Sequence, residues 1–274
     1  MSISFQWNTC VLILKKTYKP NSIGKHITNI KTFLNNAFER KLTTNQDFKM
    51  KKFKVIKEDV DSIYLNNEEI SALEKIPLDI NSEKEMIRDL FIIGCHTGLR
   101  ISDLKRLSND HIKQTGDEKY VEIEMQKTQK PVTIPLSDKL ASLLNKYKNA
   151  KGKFFPDIYD QKVNDIIKLV AKEHEIFRKE VIINSTENGI RKAKLTPKYQ
   201  LISNHTARRS FATNRVLEGY PYSAVMLVTG HKTEKAFLRY VKVNGYDAVK
   251  IFKQHTDKIL PQTNKVKISQ PDLS

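Results

Sequence analysis

The chain has 274 residues, with 48 Lys and Arg against 31 Asp and Glu and a formal net charge of +17. That length suits one large domain or two smaller ones, and the charge points to a polyanion: DNA, RNA or an acidic membrane surface. The two cysteines, Cys10 and Cys95, form no CxxC pair, which argues against a zinc ribbon or a redox motif.

A lysine-rich solvated surface is the plain alternative reading of the charge. No segment approaches transmembrane length, and the early apolar run at 10–14 is too short for a signal peptide. The expectation is a soluble cytoplasmic protein.

Residues 20–40 read as an amphipathic helix, with Ile23, Ile27, Ile30, Leu34 and Phe38 recurring at steps of three and four. Lys25, Asn29, Thr32 and Asn36 lie on the other face, where they are either plainly solvated or available to DNA. Before Pro20 only a ragged mixed segment is found. The run "KMKKFKVIK" at 49–57 includes Lys51, Lys52 and Lys54 and holds no acid. It reads as a linker or loop that could bind a nucleic acid backbone without reading sequence. A domain boundary is placed near residue 60.

Further on, Ser82 and Glu85 form a capping-box pattern before "MIRDLFIIGCHTG", and Gly94 and Gly98 loosen the chain after it. Residues 120–136 alternate as a β-hairpin, with Lys127 ending one strand and Lys130 opening the next. Ser137 caps another helix. Helices are then expected at about 161–176, 204–218, 221–229 and 233–242, with Gly219 and Gly230 as stops. The polar stretch 184–200 reads as a loop. The fold class is mainly α with a small antiparallel β element (α+β).

Several side chains could carry chemistry. Arg100 in "TGLRISDL" could hold two phosphate oxygens in a bidentate fork, with Asp103 keeping it in place. The plain reading is a surface Arg100–Asp103 pair. Lys127 could give a proton to a departing alkoxide, though hairpin-tip lysines are usually only solvated. His205 and Arg208 stand one helical turn apart and could grip one anion, with Arg209 pointing elsewhere. His231 follows Gly230, and Tyr240 falls on the helix expected next. That tyrosine is either half-buried core or a nucleophile.

In this order, Arg100, Lys127, His205 and Arg208 in "HTARRSFAT", His231 in "TGH" and Tyr240 in "FLRYVKV" resemble the tyrosine recombinases, the integrase group of site-specific DNA recombinases. The match spans about 65–245. It implies a catalytic domain over 61–274, ending in a tail. A small helical core-binding domain over 1–60 precedes it and reads as incomplete. It implies that Tyr240 attacks the scissile phosphate to give a 3′-phosphotyrosyl bond. Arg100 and Arg208 stabilise the transition state, Lys127 protonates the leaving 5′-oxygen, His205 assists proton transfer and His231 hydrogen-bonds the phosphate.

The resemblance further implies no metal, no ATP and no other cofactor. The expected partners are double-stranded DNA and a homotetramer assembled on it, with the tail at 247–260 (Val249, Phe252, Leu260) exchanged between protomers. An accessory directionality factor is also expected, as are a nucleoid location and a mobile-element origin. Two other readings stay open, a type IB topoisomerase-like relaxation activity and a binding-only remnant.

Overall fold

The structure is a computed structural model and describes residues 18–51, 53–58, 61–148, 152–187, 190–243 and 245–259. The N-terminal segment expected to be incomplete lies mostly outside these residues, as do Lys52 and Leu260. The chain divides into two compact units: one takes residues up to Ser62 together with Glu180–Pro197, the other Ile63–Lys179 and everything from Lys198 on.

In the first unit, α1 runs Pro20–Glu39, with proline at its first position where its missing N–H costs nothing. Ile23 and Ile27 are buried as expected and Leu34 and Phe38 are half-buried, but Ile30 is 42% exposed. The basic run expected as a linker instead packs along this helix. A Cβ on Gly24 would stand 1.9 Å from the Ile56 carbonyl oxygen, so only glycine permits that approach. The Asn21 side chain holds both polar groups of the Glu58 peptide, at 2.8 and 3.0 Å.

The stretch expected as a loop at 184–200 is largely strand. β4 (Glu180–Glu187) pairs antiparallel with β5 (Ile190–Pro197), Ile182 opposite Leu195. Asp61 accepts from the backbone and side-chain N–H groups of Asn184, both at 2.8 Å, which fixes β4 within the unit. Polar composition hid the ladder. The identifying signals were the β-branched run Val181–Ile183 and the Asn188-Gly189 pair, a strong hairpin signal.

The second unit is organised around α3 (Glu83–Thr97), after a short α2 (Asn67–Glu74). One face of α3, through Ile87, Phe91 and Cys95, packs with Val163, Ile167 and Val170 of α6 (Asp160–Lys172) and Ala207 of α9 (Asn204–Leu217). Its other face, through Leu90 and Ile93, meets a three-stranded antiparallel sheet, β1 (Ile112–Thr115), β2 (Glu118–Glu124) and β3 (Pro131–Pro135). The expected hairpin is β2–β3; the four-residue β1 is an addition. The expected capping box is half formed. Ser82 accepts from the Glu85 N–H, but the Glu85 carboxylate turns to the Asn81 N–H at 2.8 Å.

Ser137 caps α5 (Asp138–Lys146) as expected. The helix expected at 161–176 breaks after Lys172, where His174 caps a separate short α7 (Glu175–Arg178). After α8 (Lys198–Leu201) and α9, the chain forms α10 (Tyr222–Thr229), α11 (Glu234–Leu238) and α12 (Gly245–Ile259). The helix expected over 233–242 therefore stops at Leu238, and Tyr240 lies in a turn beyond it. Phe211, Ala212 and Val216 of α9 pack with Val225 and Phe237, and Tyr240, Val241 and Val243 lie against this cluster.

Candidate active site

The site grows from one reversal of the chain. Gly98 ends α3 in the left-handed region at φ +67°, and a Cβ there would come within 2.5 Å of the Phe211 ring. The reversal lays the 98–100 segment along α9. Arg100 then caps the short α4 (Ile101–Leu104) in extended conformation. Its guanidinium is half-buried, and its one hydrogen-bond-like contact among the described residues is a weak one to Met125 Sδ at 3.7 Å. Its donors are thus largely unspent.

Arg208 is the opposite case. It is 1% exposed and donates to the carbonyls of Gly98 and Thr229. Its Nη2 also lies 3.3 Å from His231 Nε2, while its Nε is buried with no partner among the described residues. Arginine has no acceptor, so His231 Nε2 must accept. The proton then sits on Nδ1 and points to Thr229 Oγ1 at 2.7 Å, and Thr229 donates its own O–H to the Val225 carbonyl at the same distance. This tautomer leaves His231 as the group that orients Arg208.

The Tyr240 ring is surrounded by these groups. The Arg208 guanidinium carbon is 5.4 Å from its centroid, the His231 ring 5.0 Å and the His205 ring 6.4 Å. Burial, then the charge of Arg100, pushes Arg208 down to about 10, opposed by Tyr240 and the Asp103 carboxylate. His205 is pushed down by desolvation first, although water reaches its ring edge. The charges of Arg209, Arg208, Arg100 and Lys127 add to this. Lys127, exposed in the β2–β3 turn, is therefore near enough for its charge to be felt at His205. The charge of Arg209, expected to point elsewhere, is felt at His205, and that of Tyr240 at Arg209.

Burial and the charges of Arg208 and Arg100 push His231 down to about 3 from an ordinary 6.5. The unfolded imidazole takes a proton as pH falls below its ordinary value, and the folded one does not. Stability is therefore complete above that value and falls as pH drops toward the folded value. At pH 5 His231 alone should remove on the order of 2 kcal/mol. Urea denaturation at pH 7 and pH 5 checks this, and the difference should shrink by about that amount in His231→Gln.

Asp103 requires a correction. It is fully buried and does not pair with Arg100. Its Oδ1 accepts the Gln126 N–H at 2.9 Å and a longer contact from Arg106 at 3.5 Å. It thus ties the segment after Arg100 to the residue before Lys127. Lys130 is exposed in the same turn, and no interaction among the described residues joins it to the cluster. Lys25, Asn29, Lys51 and Lys54 are exposed on the first unit. Sequence reasoning also missed Thr229, whose position two residues before His231 in "TGH" was the available signal.

Comparisons with known proteins bear on the family and the fold. A curated tyrosine recombinase of Thermosipho africanus is 26% identical over 191 residues, which cover 68% of this chain and 60% of that relative. The chain thus spans under two thirds of that relative's length. Among solved structures, the fold is similar to the Tn1549 transposon integrase in complex with a circular intermediate DNA, at TM-score 0.61 and 20% identity, covering 89% of this chain and 82% of that one. It is also similar to the XerA recombinase, at TM-score 0.50 and 17% identity, covering 89% and 88%. The model of the phage integrase family matches residues 64–245, from just before α2 to the start of α12, and the chain therefore belongs to that family, the tyrosine recombinases.

Proposed function

We propose that this protein cuts and rejoins double-stranded DNA at specific sites through a 3′-phosphotyrosyl intermediate, in the integration or excision of a mobile element. The observation that carries the reading is the convergence of Arg208, His231 and His205 on the Tyr240 ring, from segments far apart in the chain. The Tyr240 oxygen bonds to phosphorus as the bond from phosphorus to the 5′-oxygen breaks. His205, neutral and exposed, takes the phenol proton, and Lys127 returns one to the 5′-oxygen. Arg100 supplies unspent donors to the non-bridging oxygens, and Arg208 adds the charge that His231 holds in place. A 5′-hydroxyl from a partner duplex then attacks the phosphotyrosine and frees Tyr240.

The net charge of +17 suits a DNA backbone, and Lys25, Asn29, Lys51, Lys52, Lys54 and Lys130 are the candidates to meet it. On α12, Val249 and Phe252 are 63% and 75% exposed, which suits a tail that packs on a neighbouring protomer in a tetramer on DNA. A directionality factor would act on that assembly.

The test is to express the protein in cells, denature rapidly and sequence the DNA that stays covalently attached. A recurrent site is expected. Duplexes built on it should recombine pairwise; if they only relax supercoils, strand exchange is not the activity. If no DNA stays attached, the reading fails.

A further inference from the structure

We propose that Thr213 is a positioning residue for the nucleophile, a hydroxyl clip that fixes the Tyr240 backbone relative to the helix carrying His205 and Arg208. This rests on the reading of Tyr240 as nucleophile given above.

Thr213 lies on α9, five residues after Arg208, and is fully buried. Its Oγ1 donates to the Tyr240 carbonyl at 3.2 Å and accepts from the Lys242 N–H at 3.1 Å. The Tyr240 N–H donates to the Phe237 carbonyl at 2.8 Å. Both backbone polar groups of Tyr240 are therefore held, one by its own turn and one by α9.

The use of this hydroxyl differs from that of others in this chain. Thr28, Thr97, Ser210 and Thr229 each turn a helical hydroxyl back to the carbonyl four residues earlier, at 2.7 to 2.8 Å. That is the default for a helical threonine or serine with no other partner. Thr213 instead spends both its donor and its acceptor on a segment 27 and 29 residues further along. Neither Tyr240 nor Lys242 is buried, so water could serve these groups. What the clip adds is direction.

The turn needs that direction. α11 has ended at Leu238, so no helical ladder sets where Tyr240 points. The clip transfers the register of α9 to the turn. One helix then sets the phosphate-gripping side chains and the nucleophile together, and the chain delivers Tyr240 to its own Arg208. Lys242, the second partner, lies on the path to α12, so displacement of that tail would pull on the same hydroxyl.

The experiment measures single-turnover adduct formation on a nicked duplex carrying the site recovered from wild-type covalent complexes. Thr213→Val keeps the side-chain shape and removes both bonds. It should slow adduct formation by about 10- to 100-fold, the scale of a small misplacement of a reacting atom. DNA affinity should stay within about twofold, and Thr213→Ser should return the rate to within about threefold of wild type. A duplex with sulfur at the bridging 5′ position separates the roles, because a thiolate leaves without a proton. Lys127→Ala should recover on it, and Thr213→Val should stay slow.

The clip is refuted if Thr213→Val reacts at the wild-type rate, if Thr213→Ser is as slow as Thr213→Val, or if the sulfur duplex restores Thr213→Val. It is equally refuted if affinity and rate fall together. Should Thr213→Val fail to fold, Thr213→Cys, with only a weak donor, takes its place and must be slow where Thr213→Ser is fast. If wild type itself forms no adduct, the recombinase reading fails first and the clip with it.

Discussion

Tyr240→Phe is expected to bind DNA as wild type does and to form no covalent adduct. The substitution removes one oxygen and keeps the ring that packs beside His231 and against the α9 cluster. The fold should be kept, with a change in stability within about 1 kcal/mol. Loss of the nucleophile should cost at least about 10⁴-fold in the cleavage rate. Electrophoresis under denaturing conditions reads the adduct, and a filter or gel-shift assay reads binding. An adduct that persists in Tyr240→Phe would place the nucleophile elsewhere.

The two arginines should fail differently when each is changed to alanine. Arg100 is half-buried and its one described contact is the weak one to Met125 Sδ. Arg100→Ala should slow cleavage by about 10²- to 10³-fold, as for other preorganised donors to a developing charge. Its stability should change by less than about 1 kcal/mol.

Arg208 is fully buried and holds the Gly98 and Thr229 carbonyls and His231. Arg208→Ala leaves these groups unpaired around a cavity, so it should lose about 3–5 kcal/mol of stability as well as cleavage. Chemical denaturation beside single-turnover cleavage separates the two. If both variants lose stability equally, the division between a free and a committed guanidinium is wrong.

Much of the site was legible because its parts are local. His205 and Arg208 share a helix face through the helical period alone, and Gly230 marks the stop that delivers His231. Arg100 follows a glycine whose left-handed conformation is a one-residue property. The unread parts depend on tertiary partners. Asp103 was assigned to Arg100 from sequence proximity, but its partner is a backbone N–H in the β2–β3 turn. Tyr240 was placed on a helix because "EKAFLRYVKV" keeps a helical pattern. The helix stops at Leu238 instead, and Tyr240 lies in the turn beyond it. The β4–β5 ladder was missed because most side chains of β5 are polar and exposed, so periodicity carried little signal there.

The sharpest check is to locate the bond itself. Wild-type covalent complexes, trimmed with nuclease and digested to peptides, can be read by mass spectrometry. The nucleotide should be found on the phenol oxygen of Tyr240 and joined through its 3′ end. A nucleotide on any other residue, or one joined through its 5′ end, would contradict the arrangement of cations around Tyr240 as the catalytic centre.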